Sequence, residues 1–321
     1  MAINIGLFLT THAMEGCAHR SAPIANARSP VPTGRILWFE RDTEAGYAWS
    51  FFLYIPDASV SASDHSRPLL VMPNNTGTTD ADDGVHRIAA LKQVFAWRSY
   101  AEKLHTALLV PTFPRPETPS NLYTHALDRD ALLIQEGPLR RLDLQLIAMI
   151  DSAQRFLGAA PKSPVLLFGF SASGMFANRF ALLHPERVLA VAVGSPGGWP
   201  MAPQSSWASD RLRYPLGSDD LADLVGAPLD LRALRRVSFF FFLGAKDVND
   251  SLVFRDSYDQ EDEVLAMKAF GLTPVERWPL AESMYRAAGI SATFKLYPDT
   301  DHHVTKAMDA DVIAFFSKAG E

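Results

Sequence analysis

The chain has 321 residues, of which 48% are hydrophobic and 21% are charged, and this composition excludes disordered, fibrous and coiled-coil proteins. Thirty Lys and Arg against 36 Asp and Glu give a net charge of −6, so the whole chain lacks the basic character typical of nucleic acid binding. The single cysteine, Cys17, excludes an internal disulfide and any metal centre built from several thiolates.

Residues 1–34 are predicted to be a tail that precedes the folded domain. They contain a short apolar patch and the tripeptide Ala25-Asn26-Ala27, which resembles a signal-peptidase site. No Lys or Arg precedes the patch and charged residues interrupt the segment after it, so cytoplasmic location is favoured and a secreted or periplasmic location is the alternative. No apolar run reaches the ~20 residues of a membrane-spanning helix. We therefore expect no transmembrane segment.

Strands and helices are predicted to alternate from residue 35 onward. Two apolar runs around a polar turn, 35–40 and 47–55, predict an antiparallel hairpin. Short, continuously apolar runs predict buried strands at 68–72, 107–110, 165–168, 188–193, 239–243 and 293–297. Apolar residues at helical spacing predict helices at 85–105, 139–157, 177–183, 281–288 and 308–316. This order predicts an α/β domain with a mostly parallel central sheet, covered by helices on both faces.

One stretch interrupts the alternation. Residues 195–236 contain Pro, Gly and aromatic residues but little periodicity, which favours a small lid-like insertion over the carboxyl edge of the sheet. Residues 35–321, with this insertion at about 195–236, are predicted to form a single domain.

The sharpest motif is Gly-Phe-Ser-Ala-Ser-Gly at residues 169–174, between a predicted strand and a helix. A turn this tight strains its central residue, needs small neighbours, and exposes the hydroxyl of Ser171 at the sheet edge. Ser171 is therefore the candidate nucleophile, and the alternative is a serine that caps the helix. Ser173 stands where glycine is usual, so we expect Gly174 to allow the close approach of helix and strand.

A serine nucleophile needs a base and a carboxylate that orients the base. Asp247 and Asp250 follow the predicted strand 239–243, and either one is also a plausible turn residue. His302 and His303 follow the last predicted strand, and adjacent residues point in opposite directions, so only one should face Ser171. A metal site with Asp301 is a weak alternative, because neighbouring residues seldom chelate one ion.

The chain order Ser171, Asp247, His302 resembles the α/β-hydrolase superfamily over about residues 35–318. The segments GFSASG (169–174), YPLGSDDL (214–221), GAKDVND (244–250) and YPDTDHHVT (297–305) look like its esterase branch, which includes polyhydroxybutyrate depolymerase-like and feruloyl esterase-like proteins. The resemblance implies the α/β-hydrolase fold, with Ser171 as nucleophile, Asp247 as acid and His302 as base.

An oxyanion hole must accompany such a triad, because attack on an ester carbonyl creates a negative oxygen. The backbone N–H of Ala172, which follows the nucleophile, is one expected donor. The second is expected in 73–77, where relatives carry a His-Gly pair; here the amide of Asn75 or of Thr76 would serve, unless the segment is only a polar turn.

Substrate-binding candidates are less well defined. Tyr123 and His125 follow a Pro-rich loop, where they line the pocket or, as we favour, belong to a plain surface loop. Trp199 and Trp207 bind an acyl or aromatic group or simply pack the insertion.

The sequence thus predicts a serine hydrolase that cleaves a small-molecule or polymeric carboxylic ester through an acyl-enzyme, with no metal or organic cofactor. Two alternatives remain. One is a serine peptidase of the same fold, and the other is a non-catalytic ligand-binding scaffold, which the altered 73–77 segment favours. No motif indicates which ester is cleaved or the oligomeric state.

Overall fold

The computed structural model describes residues 19–20, 33–57, 67–255 and 257–319. Most of the predicted N-terminal tail, including Cys17 and the tripeptide 25–27, lies outside these residues.

A mixed sheet forms the centre of the described part of the chain. Its strands are β1 (His19–Arg20), β2 (Arg35–Phe39), β3 (Phe51–Ile55), β4 (Leu70–Val71), β5 (Leu108–Pro111), β6 (Val165–Phe170), β7 (Val188–Gly194), β10 (Ser238–Gly244) and β11 (Ala292–Tyr297). A separate two-stranded ribbon consists of β8 (Ser206–Trp207) and β9 (Asp210–Arg211).

The strand order of the sheet is β1-β2-β3-β5-β4-β6-β7-β10-β11. Only β3 runs against its neighbours β2 and β5, while every other pair in this sheet is parallel. The predicted mostly parallel sheet with an N-terminal antiparallel hairpin is therefore confirmed. The hairpin's second strand begins at Phe51 rather than at residue 47, because Tyr47 instead bridges back to Asp42 across the turn.

Helices cover both faces of this sheet. They are α1 (Asp83–Leu104), α2 (Arg129–Leu133), α3 (Leu142–Leu157), α4 (Ala172–Leu183), α5 (Leu221–Val225), α6 (Leu231–Leu234), α7 (Ser251–Phe254), α8 (Gln260–Ala269), α9 (Pro274–Ala287) and α10 (Lys306–Ala319). The helices α1 and α10 contribute to the apolar core on one face, and α3, α4 and α9 to the core on the other. None of the described helices has the length and apolarity needed to cross a bilayer.

The strand β10 illustrates how the sequence builds this layered core. Phe239 and Phe241 belong to the core on the α3, α4 and α9 side, whereas Phe240 and Phe242 belong to the core on the α1 and α10 side. Successive side chains of a strand point to opposite faces, so a continuously apolar strand must be buried on both. That burial fixes β10 in the interior of the sheet, and the loop that follows it lies at the carboxyl edge.

The segment 195–236 contains the β8–β9 ribbon and the short helices α5 and α6. Its residues Trp199, Leu212 and Leu216 share an apolar cluster with Met175 at the start of α4. This segment is therefore anchored beside the end of β6.

Candidate active site

The chain changes its winding direction at β4. From β4 the chain passes through α1 to β5 on one side, and β6 then pairs with β4 on the other side. In open α/β sheets, the crevice at the carboxyl ends of the strands beside such a point is where ligands bind. The register pairs Val71 with Leu167, so the loop 73–77 and the turn at Ser171 leave the same edge of neighbouring strands.

Ser171 occupies the tight turn between β6 and α4. Its φ is 61° and its ψ is −128°, a conformation that L residues rarely adopt. A Cβ on Gly169 would lie 2.0 Å from the carbonyl oxygen of Ser173, and one on Gly174 would lie 2.5 Å from that of Gly194. The expectation that Gly174 allows the close approach of helix and strand is confirmed.

Ser173, which stands where glycine is usual, has a local role in this turn. Its hydroxyl donates to the carbonyl oxygen of Phe170 at 2.8 Å and accepts the amide of the same residue at 3.1 Å. The side chain is buried, so these bonds replace solvent for the Phe170 backbone. The additional hydroxymethyl group of Ser173 therefore stabilises the turn through hydrogen bonds to the Phe170 backbone.

Three side chains from distant parts of the sequence meet at the sheet edge. Nε2 of His302 lies 3.0 Å from Oγ of Ser171, and Nδ1 of His302 lies 2.9 Å from Oδ2 of Asp247. Because a carboxylate only accepts, Nδ1 carries the proton and Nε2 is free to accept from the Ser171 hydroxyl. The ring of Phe170 packs against the imidazole with centroids 4.9 Å apart. The arrangement is that of a nucleophile, a base and an orienting acid.

The environment of Asp247 favours its charged form. Burial alone would raise the pKa of this carboxyl, but the hydrogen bonds from His302 and from the amide of Asn249, with a smaller effect of the nearby Ser195 side chain, hold it below its ordinary value. The Asn249 amide donates to Oδ1 at 2.9 Å, which leaves Oδ2 directed at His302. A fixed negative charge thus faces the imidazole.

Asp250 and His303, the alternatives to Asp247 and His302, have hydrogen-bond partners outside this triad. Asp250 caps α7 and pairs with Arg277, with Oδ2 and Nη1 2.8 Å apart. His303 is exposed and its Nδ1 contacts Asp301. Both ring nitrogens of His302 are engaged by Ser171 and Asp247, so the geometry does not assemble His302, His303 and Asp301 around one ion.

Two segments at this edge of the sheet contain backbone amides that are candidates for an oxyanion hole. Ala172 is the first residue of α4, and an N–H in the first turn of a helix has no acceptor within the helix. In the loop 73–77, the amide of Asn75 donates to Oε1 of Gln93 at 3.1 Å, and the amide of Thr76 approaches Nδ1 of His125 at 3.5 Å. Gln93 and this role of His125 were not predicted, since nothing in the local sequence links them to the loop.

His125 is buried in a short 3₁₀-helix, Thr124–Ala126, so the surface-loop interpretation of this segment is wrong. Its Nε2 contacts the carbonyl oxygen of Phe113 at 2.7 Å, which assigns the proton to Nε2 and leaves Nδ1 as an acceptor. Burial lowers the pKa of His125 to about 3 against the opposing bond to Phe113, with smaller lowering effects from His86 and Arg115. The ring is therefore neutral at neutral pH.

The aromatic candidates differ in their surroundings. Tyr123 is buried, with the guanidinium of Arg115 3.4 Å from the centre of its ring. Trp199 is only 1% exposed, stacks on Phe270 and donates from Nε1 to the carbonyl oxygen of Leu216 at 3.0 Å. The contacts of Trp199 are those of a residue that packs the 195–236 segment.

The sheet order, the antiparallel hairpin and the strained serine between β6 and α4 define an α/β-hydrolase fold. No protein-family model matches the sequence, and no curated protein is significantly similar to it. The comparison therefore depends on solved structures.

Among the solved structures with a similar fold, three illustrate the comparison. Poly(aspartic acid) hydrolase-1 from Sphingomonas sp. KT-1 is 17% identical, with a TM-score of 0.55 over 85% of this chain and 94% of that chain. LpqC, a poly(3-hydroxybutyrate) depolymerase from Bordetella parapertussis, is 17% identical, with a TM-score of 0.52 over 85% and 84%. A ferulic acid esterase is 12% identical, with a TM-score of 0.51 over 89% and 97%. At these identities the similarity establishes the fold, and the predicted resemblance to α/β-hydrolases is confirmed at that level.

Proposed function

We propose that this protein is a serine hydrolase that cleaves a carboxylic ester through an acyl-enzyme. The observation that carries the proposal is the contact chain from Oγ of Ser171 through the His302 ring to Asp247, at 3.0 and 2.9 Å. A strained serine in contact with a correctly oriented imidazole is the arrangement that nucleophilic catalysis needs. Two fold neighbours are an esterase and a polyester depolymerase by name, which agrees with this chemistry.

The reaction follows from the positions of these groups. The Ser171 hydroxyl attacks the ester carbonyl carbon while Nε2 of His302 takes its proton, and Asp247 stabilises the resulting imidazolium. His302 then returns the proton to the departing alcohol, which leaves an acyl group on Ser171. Water, activated by the same imidazole, attacks the acyl carbonyl and releases the acid. No step requires a metal or an organic cofactor.

The oxyanion of each tetrahedral intermediate would be held by the amide of Ala172 and by a second amide from 73–77, either Asn75 or Thr76. Removing one such donor typically costs about 10²–10³ in kcat. Tyr123 and His125 remain the candidates for shaping the pocket, while Trp199 packs the 195–236 segment. We assign 195–236 to the same domain, as a segment that covers one side of the site. Its anchoring cluster with Met175 supports this assignment.

Covalent labelling tests the nucleophile directly. The wild type and Ser171→Ala are treated with a fluorophosphonate, measured by intact mass, and the modified peptide is mapped. We expect one adduct per chain at Ser171 and none in the variant. Ser291→Ala, which alters an exposed serine just before β11, is the control and should label fully.

Hydrolysis of a panel then identifies the bond. Esters of graded acyl length are compared with matched amides, because poly(aspartic acid) hydrolase-1 shares the fold. Ester cleavage lost in Ser171→Ala supports the proposal, while exclusive amide cleavage would replace it with the peptidase alternative. A folded wild type that neither labels nor hydrolyses would leave the ligand-binding scaffold as the better interpretation.

A further inference from the structure

The loop 73–77 is held by a side chain of α1. Nε2 of Gln93 donates to the carbonyl oxygen of Pro73 at 3.0 Å, and Oε1 of Gln93 accepts the amide of Asn75 at 3.1 Å. Only one orientation of the carboxamide satisfies both partners, since a carbonyl oxygen only accepts and an N–H only donates. The loop backbone is thus fixed on either side of Asn74.

Asn74 holds the loop from the opposite direction, with His125 beside it. The Asn74 side chain donates to the carbonyl oxygen of Phe113 at 2.8 Å and accepts the Phe113 amide at 3.1 Å, as a neighbouring strand would. Nδ1 of His125 faces the amide of Thr76. The loop is therefore fastened between α1 and the segment after β5.

These contacts distinguish the two candidate donors. The Asn75 amide is engaged by the Gln93 oxygen at 3.1 Å, within the ordinary range of a hydrogen bond. The Thr76 amide has only a 3.5 Å approach to a ring nitrogen, beyond that range, so it is the easier of the two to redirect to a developing oxyanion.

We propose that Gln93 is a positioning residue. It accepts a hydrogen bond from the amide of Asn75 and fixes the loop 73–77, so that the amide of Thr76 is the second donor of the oxyanion hole. This inference rests on the proposed hydrolase function. Gln93 touches no reacting atom; it acts on transition-state stabilisation through the loop backbone. A donor displaced by about 1 Å can cost about 10²-fold in rate.

Two variants of Gln93 test its hydrogen bonds to Asn75 and to Pro73. Gln93→Leu removes both, and Gln93→Glu keeps an acceptor for Asn75 but turns a second oxygen toward the Pro73 carbonyl. Lys92→Leu, at the exposed neighbouring position of α1, is the matched control. For each variant, kcat and KM on a soluble ester are measured together with the inhibition constant of a trifluoromethyl ketone, which forms an oxyanion when serine adds to it.

For Gln93→Leu we expect kcat to fall by about 10- to 100-fold with little change in KM, and the inhibition constant to rise by a similar factor. Gln93→Glu should show a smaller loss of the same kind, and it serves as the test if the Leu variant does not fold. Unchanged or improved kcat and inhibition in the folded variants would overturn the proposal. Improvement would mean that the Asn75 amide, freed from Gln93, is the donor.

Amide hydrogen exchange separates this inference from the proposed function. If Gln93 ties the loop, exchange at Asn75 is faster in Gln93→Leu than in Lys92→Leu, whether or not the protein hydrolyses esters. Equal exchange rates would overturn the loop contact itself. A wild type with slow exchange at Asn75 but no labelling at Ser171 would instead refute the hydrolase proposal, and with it the role of Gln93 in an oxyanion hole.

Discussion

Asp250 and Arg277 form an ion pair that is almost fully removed from solvent, with side chains 6% and 0% exposed. The same guanidinium donates to the carbonyl oxygens of Gly271 and Leu272, so it connects the start of α7 to the start of α9. The first aspartate of the Asp-Val-Asn-Asp sequence faces His302, and the second holds the neighbouring helices together.

The two aspartates should therefore respond differently to the same substitution. Asp247→Asn should lower kcat by roughly 10³- to 10⁴-fold with little loss of stability, because an amide no longer fixes the tautomer of His302. Asp250→Asn should lower the free energy of unfolding by about 3–5 kcal/mol, because it leaves Arg277 buried without its counter-charge. Ester kinetics and urea unfolding, both measured on each variant, test these two predictions. A stable but inactive Asp250→Asn would contradict the assignment.

The adjacent histidines offer a similar contrast. His302→Gln should reduce kcat by at least about 10⁴-fold, because Ser171 loses its base. His303→Gln should leave both kcat and KM essentially unchanged, since this exposed ring contacts Asp301 rather than the serine. Fluorophosphonate labelling rates provide a second measurement that does not depend on the choice of ester. Equal losses in the two variants would argue against His302 as the base.

The elements that the sequence predicted well are those whose signals are local. Ser171 was found because the strand, the turn and the helix around it are contiguous, and β10 because a run of phenylalanines must be buried on both faces. The contacts of His302 with Asp247 and with Ser171 join residues 55 and 131 positions apart, and the sequence suggested them only through loop position and resemblance.

The features that were missed depend on long-range contacts. His125 was interpreted as a surface-loop residue because it follows a Pro-rich loop and loops are usually exposed, yet it is buried and contacts Phe113 and Thr76. Gln93 lies within an amphipathic helix, where a polar side chain is expected to face solvent. Only the packing of α1 beside the loop 73–77 gives its carboxamide two backbone partners.

The turn around Ser171 provides a third prediction. Ser173→Ala removes the hydroxyl that bonds both the amide and the carbonyl oxygen of Phe170, so the free energy of unfolding should fall by about 1–3 kcal/mol. Because Phe170 also packs on His302, kcat should fall as well. Thermal and urea unfolding beside ester kinetics measure both effects. Ser291→Ala, at an exposed position, should change stability by less than about 0.5 kcal/mol, and an equal change in the two variants would contradict the role of Ser173.

Acid stability should depend on a carboxylate far from Ser171 in the sequence. Asp143 is fully buried; burial alone would raise its pKa, but contacts with His184 and Arg141 hold the pKa at about 2, below the ordinary 3.8. A carboxyl whose pKa is lower in the folded state stabilises the protein above the unfolded pKa and loses this contribution as pH falls through the folded pKa. The contribution of Asp143 should therefore be present above about pH 4 and decline toward pH 2, by about 2 kcal/mol in total.

The variant Asp143→Asn isolates that contribution, since an amide has a similar shape but does not ionise. The difference in unfolding free energy between wild type and variant should be largest near pH 6, where the Asp143 carboxyl is ionised, and narrow as pH falls below 4. Urea unfolding at closely spaced pH values measures it, and Glu186→Gln, at an exposed position, should show a small, constant difference. If the gap between wild type and Asp143→Asn stayed constant from pH 6 to the acid limit of folding, the pairing of Asp143 with His184 and Arg141 would not be what protects the fold against acid.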